Sequence, residues 1–148
     1  MTRMDEYTNT RMNESTSTPL ESPDAHERVR STRETVQAYY DRLATRGDWA
    51  AFMADDLAFT TYTSPIKQVR GKDAFLKAAD GFYASVISVQ VRDLLVEGEK
   101  ACAFTHYDLR PPNGGPAFTS DVAEVFVVRG GNVVEFGIYF DSVAFQKR

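Results

Sequence analysis

From Val86 to Phe145 the chain is built mostly of strand-length apolar runs, and the last three are separated by turns. KACAFTHYDL is followed by PPNGG, FTSDVAEVFVV by RGGN, and VVEFGIYF ends the series. Short Gly- and Asn-bearing links of this kind join antiparallel neighbours. The half that precedes them reads differently. Ser31 and Glu34 have capping-box spacing, and Val36, Tyr39, Tyr40 and Leu43 recur at three- and four-residue steps. Gly47 is expected at the helix C′ position, with Asp48 capping a short second helix whose buried stripe is Trp49, Phe52 and Met53. Asp55 and Asp56 are expected to close that helix, and a strand to run from Leu57 to Tyr62. Gly71 precedes a third helix over 72–84, with Phe75, Ala78, Ala79 and Phe82 on its apolar side. Helices first and an antiparallel meander after them imply an α+β layer packing. The strands are expected near 86–96, 100–110, 117–129 and 133–141.

Composition narrows the function classes. At 148 residues one domain is expected, and the formal charge of -4 recommends neither nucleic acid nor an anionic membrane as partner. No apolar run is long enough to span a bilayer. Residues 1–27 are rich in Thr, Ser, Asn and Glu and read as a flexible polar arm, leaving 28–148 as the folded domain. That N-terminal stretch lacks an apolar signal core, and Cys102 has no second cysteine to pair with, so a cytoplasmic location is expected. The two histidines, His26 and His106, make no metal cluster, and no cofactor signature is present, so neither metal nor cofactor is expected. Strands near Val125 are apolar on both faces, which suggests helices on one side and a second copy of the chain on the other.

Four segments, YDRLATRGD, FMADDLAF, VRGKDAF and VAEVFVVRGGNVVEFGIYFD, resemble in order and spacing the SnoaL-like branch of the superfamily shared with nuclear transport factor 2. The resemblance runs from about Arg33 to Ser142. It implies a cone-shaped roll, three N-terminal helices packed on a strongly curved, mostly antiparallel sheet. It also implies a deep apolar pocket and commonly a homodimer through the sheet face. Members include isomerases, epoxide hydrolases, cyclases, dehydratases and proteins that catalyse nothing. Against the ketosteroid isomerases, the oxyanion-donating tyrosine falls on Tyr40, but the proton-shuttling aspartate falls on Thr61 and the second donor on Ala123. Against the limonene epoxide hydrolases, the water-activating aspartate falls on Ile138, its partners on Thr105 and Tyr107, and the water-holding residues on Phe59 and Thr61.

These carried-over positions imply the strand phase, since side chains alternate. The inward set is then Ala103, Thr105 and Tyr107; Thr119, Asp121, Ala123 and Val125; and Phe136, Ile138 and Phe140. Asp121 is the inward carboxylate of the sheet on this phase. Asp121, Tyr40 and Tyr107 are therefore the catalytic candidates, the aspartate moving a proton and the tyrosines holding an oxyanion. Phe59, Thr61, Phe75, Phe82, Thr105, Ala123, Phe136, Ile138 and Phe140 are the expected ligand contacts. His106 points away unless a bulge intervenes, whereas Asp108, Glu124 and Asp141 fall to the rim or the subunit face. Two functions stay open: an acid/base enzyme without cofactor, of cyclase, isomerase or dehydratase type, on a small polyketide-, terpenoid- or steroid-like molecule, or a non-catalytic ligand-binding or association domain.

Overall fold

The Ser31 hydroxyl accepts the Glu34 N–H at 3.1 Å, and the Glu34 carboxylate accepts the Ser31 N–H at 2.9 Å. This reciprocal cap starts helix α1, Thr32–Ala44, in a computed structural model that describes residues 29–146. The expected arm, residues 1–27, lies outside the described residues. Thr35, Val36, Tyr39, Tyr40 and Leu43 form the buried face of α1. Its end departs from expectation: Arg46, not Gly47, takes the left-handed conformation, with φ 60°.

The second expected helix does not form. Trp49–Phe52 is a single 3-10 turn, and the Asp48 side chain does not cap it. Met53 is already in strand β1, Met53–Thr61, because it pairs with Val133 near the other end of the domain. Asp55 and Asp56 thus lie within the strand rather than closing a helix. β2, Lys67–Arg70, was not anticipated; it folds back antiparallel on β1. Gly71, at φ 94°, opens helix α2, Lys72–Ser85, a conformation that a Cβ would strain.

The strands β3 (Val86–Glu97), β4 (Lys100–Leu109), β5 (Phe118–Arg129) and β6 (Asn132–Phe140) form the expected meander. They join β1 and β2 in a six-stranded sheet of order β2-β1-β6-β5-β4-β3, antiparallel except where β1 meets β6. The expectation of three helices in a strongly curved cone is therefore corrected. Two α-helices of more than one turn are present among the described residues, and the sheet is open at β2 and β3 rather than strongly curled or closed. Four residues between Asp48 and Met53 leave no room for another full helix.

Both helices lie against one face of the sheet. The core between them is largely aromatic: Phe126 stacks on Phe136 at 4.9 Å, and Tyr39 meets both rings edge-on. Phe59 and Phe75 close it at 4.8 Å from one another. Because the whole packing of α1 depends on its first turn holding, Ser31→Ala should lower unfolding free energy by about 1 kcal/mol. Urea titration with an unchanged slope would show it; a loss below a few tenths would mean that the cap contributes little.

Candidate functional site

Register decides which side chains face the helices. Across β4 and β5, Ala103 pairs with Glu124, Thr105 with Val122 and Tyr107 with Ser120. Across β5 and β6, Glu124 pairs with Ile138 and Val122 with Phe140. The even residues of β5 therefore face inward, one residue out of step with the expected phase. The slip has a physical origin in the β5–β6 hairpin. Arg129 pairs with Asn132 and Val128 with Val133, but Val127 pairs with Glu135, so Val134 is an extra residue. A bulge of one residue carries every side chain beyond it to the other face.

The consequence is an exchange of carboxylates. Asp121 lies on the outer face, its side chain 72% exposed, where it accepts from His106 Nδ1 at 2.8 Å and Arg92 at 3.3 Å. The His106 hydrogen bond, above the other influences, holds its carboxyl below the usual range. Ala123 is also on that face, between Phe104 and Tyr139. Glu124, expected at the rim or subunit side, is instead 2% exposed inside the domain.

Glu124 sits under two tyrosines. The Tyr40 hydroxyl, from α1, donates to Glu124 Oε1. The Tyr107 hydroxyl, from β4, lies 2.9 Å from Oε1 and 3.1 Å from Oε2. Burial lifts the Glu124 carboxyl from 4.5 to about 7, prevailing over the opposing hydrogen bonds from Tyr40 and Tyr107. Burial, and then the Glu124 charge, hold both phenols well above their ordinary value of 10. Both tyrosines thus spend their protons on the carboxylate, so neither is free to hold a ligand oxyanion as expected. Thr105 is equally engaged: its hydroxyl donates to the Val122 carbonyl at 2.8 Å.

Glu124 forms part of the wall of a cavity of about 200 Å³ between α2 and the sheet. Phe59, Thr61, Phe75, Phe82, Phe136, Ile138 and Phe140, all expected ligand contacts, line it, together with Ala78, Ala79, Tyr83, Val122 and Phe145. Thr105 and Ala123 do not. The polar side chains of this wall are Thr61, Tyr83 and Glu124. A wider depression of about 710 Å³ lies towards the other face, lined by charged residues including Asp56, Arg70, Lys100 and Arg129. None of the titratable residues that line it is buried, whereas the buried Glu124 lies in the wall of the smaller cavity. Among the described residues, no group of three His, Cys, Asp or Glu side chains is placed to hold a metal, and no helix is long and apolar enough to cross a membrane.

A signal for Glu124 was present: an acid at mid-strand, flanked by Val122 and Phe126 two residues either side, is costly to bury and calls for partners. Recognising it required the bulge.

The SnoaL-like domain family matches residues 36–136, and the chain belongs to that family. No curated protein matches it. Among solved structures it is similar to a protein of the nuclear transport factor 2-like class from Burkholderia thailandensis E264 (TM-score 0.68, 17% identity, 80% of this chain and 96% of that one). It is also similar to an epoxide hydrolase of the limonene epoxide hydrolase type from M. tuberculosis (TM-score 0.64, 20% identity, 78% and 86%). A candidate SnoaL-like polyketide cyclase from Jannaschia sp. CCS1 superposes with TM-score 0.67 at 17% identity, over 88% of this chain and 96% of that one. At these identities the likeness is one of fold.

Glu124 links acidity to stability. From pH 4.5 to about 7 the folded protein keeps a proton that the unfolded chain has released. Its contribution is complete below pH 4.5 and is lost as pH rises through about 7, a fall of about 3 kcal/mol. Glu124→Gln should flatten this limb. Urea unfolding at about pH 5 and about pH 8 checks it; an equal slope in both proteins would place the carboxyl's titration elsewhere.

Proposed function

We propose that the protein is an acid/base enzyme in which Glu124 carries a proton to or from a compact, largely apolar, uncharged molecule held in the cavity. The observation that carries this reading is a buried carboxyl at a cavity wall, lifted to about 7, where both protonation states are populated near neutrality. Oε1 accepts from Tyr40, and from Tyr107 at 2.9 Å; Oε2 accepts from Tyr107 at the longer 3.1 Å, and Thr105 also supports the carboxyl, so Oε2 is the oxygen less tightly held by the tyrosines. Oε2 is therefore the atom we assign to proton transfer, with Tyr40 and Tyr107 as positioning residues. Family membership supports a small-molecule enzyme, since similar folds include an epoxide hydrolase and a candidate polyketide cyclase. A cavity of about 200 Å³ is below the about 300–1,000 Å³ of drug-sized sites, which favours a monocyclic or short-chain ligand over a steroid.

We assign a homodimer through the open sheet face as well. Phe104, Ala123 and Tyr139 form one row across β4, β5 and β6, and Tyr139 stacks on Tyr62 at 4.6 Å. Phe104, Tyr139 and Tyr62 are 40–49% exposed, an apolar band that a second copy would cover. The single cysteine, Cys102, fits a reducing compartment, and we place the protein in the cytoplasm. Light scattering should give twice the 16.6 kDa of one chain, and Phe104→Glu should return the monomer; a wild-type monomer at micromolar concentration refutes the assignment.

Activity is tested by exchange of α-hydrogens of small cyclic ketones in deuterium oxide, followed by proton NMR. The rate should rise with pH through about 7, as Glu124 loses its proton and becomes the base. Glu124→Gln should lower it by about a hundredfold or more. Ketones that bind without enhanced exchange would favour the non-catalytic ligand-binding reading.

A further inference from the structure

The cavity wall holds one member of a second polar pair, which the proposed Glu124 chemistry leaves unused. The Tyr83 hydroxyl, from α2, lies 2.6 Å from the Tyr39 hydroxyl, from the buried face of α1. Tyr83 lines the cavity; Tyr39 is fully buried. The Tyr83 ring is clamped, stacked on Trp49 at 3.7 Å and met edge-on by Phe75 and Phe82. Although part of this residue is open to solvent, its hydroxyl end is deep, and burial keeps the phenol protonated well above the ordinary range.

Two hydroxyls carry two protons, and the contact between them uses one. Neither has another hydrogen-bond partner among the described residues. If Tyr83 donates, the spare proton stays on Tyr39, enclosed by the rings of Tyr40, Trp49, Phe126 and Phe136. That leaves a buried donor without an acceptor, a costly arrangement. If Tyr39 donates, the spare proton belongs to Tyr83, at the cavity wall, where a ligand oxygen can take it. The Tyr39 hydrogen bond then polarises the Tyr83 hydroxyl and strengthens it as a donor.

We propose that Tyr83, backed by Tyr39, is the donor that the cavity presents to an uncharged acceptor oxygen, and that the ligand is a compact apolar carbonyl compound. Resting on the role assigned to Glu124, this sets the carbonyl oxygen on Tyr83 and the neighbouring C–H towards the carboxylate. Glu124 takes that proton; the C–H electron pair becomes the new C=C bond, and the carbonyl π pair moves to oxygen, where the Tyr83 hydrogen bond stabilises it. Returning the proton from Glu124 to carbon restores a neutral product. Tyr83 is thus a catalytic residue and Tyr39 a positioning one.

The probes are cyclohexanone and methylenecyclohexane, which share a shape and differ in the acceptor oxygen. Their Kd values are measured by NMR titration of the full chain. Tyr83→Phe should shift the ratio of the two Kd values by about fivefold against the ketone. Tyr39→Phe should shift it part of the way. Carbonyl-labelled cyclohexanone should show a downfield carbon resonance when bound to the wild type and lose it in Tyr83→Phe. Glu124→Gln should keep both the ratio and the resonance, which separates this proposal from the proton-transfer reading. An unchanged ratio and resonance in Tyr83→Phe overturns the proposal. So does a loss that follows Thr61→Val instead, or an absence of cyclohexanone binding to the wild type.

Discussion

A carboxylate enclosed by aromatic rings is the constraint around which this domain is arranged. Glu124 joins three elements at one point: its own strand β5, α1 through Tyr40 and β4 through Tyr107. Removing one hydroxyl would leave a buried acid with a partner missing, which is more damaging than never having buried it. The balance of forces at this point is specific. Two phenol hydrogen bonds favour the anion, yet desolvation prevails and the carboxyl titrates near neutrality. Asp121, three residues earlier on the same strand, shows the other outcome. It is on the solvent side with His106 and Arg92, and its carboxyl is held low. Local sequence does not separate these two acids; the face of the sheet does.

That is why the fold was more legible than the site. Local rules were enough for the cap at Ser31, the apolar face of α1, the Gly71 start of α2 and the four-strand meander. They failed where a distant partner decided. Met53 is drawn into β1 by Val133, so a stripe that suited a helix became a 3-10 turn and a strand. The apolar lining from the sheet, Phe59, Phe136, Ile138 and Phe140, faces the cavity because β6 and β1 keep the expected phase there, and Phe75 and Phe82 join it from α2. On β5 the phase depends on Val134, the extra residue beyond a Gly-Gly turn whose own geometry gives no warning of it. Each face of β5 carries two valines, Val122 and Val128 on one and Val125 and Val127 on the other, so alternation could not arbitrate between Asp121 and Glu124.

The aromatic shell and the proton on Glu124 are consequently one system. Phe126 and Phe136 stack beside Tyr39 and Tyr40, and the same rings that close the core keep water from the carboxylate. Truncating Phe126 would open a cavity in the core and, by admitting water, also move the Glu124 acidity back towards that of an ordinary glutamate. Stability and proton affinity would then change together without any contact to the carboxylate being altered. Such coupling makes the effects of Phe126 and Glu124 substitutions non-additive, since an open shell removes the desolvation on which the raised acidity depends.

The positions of the hydroxyl protons complete the chemical logic. Tyr40 and Tyr107 point theirs at Glu124, which orients the acid but withdraws both from the ligand. Of the tyrosines in this cluster, Tyr39 and Tyr83 are the pair with a proton to spare. A cavity with an acid of intermediate strength on the sheet and a hydroxyl on α2 discriminates by polarity as much as by size. A hydrocarbon would fill the space but leave the Tyr83 proton unmet, and a charged molecule would have to shed its hydration into an aromatic enclosure. An uncharged molecule with one acceptor oxygen satisfies the wall at the lowest desolvation cost, and in the proposed reaction its reactive carbon faces Glu124, whose carboxyl burial lifts to about 7.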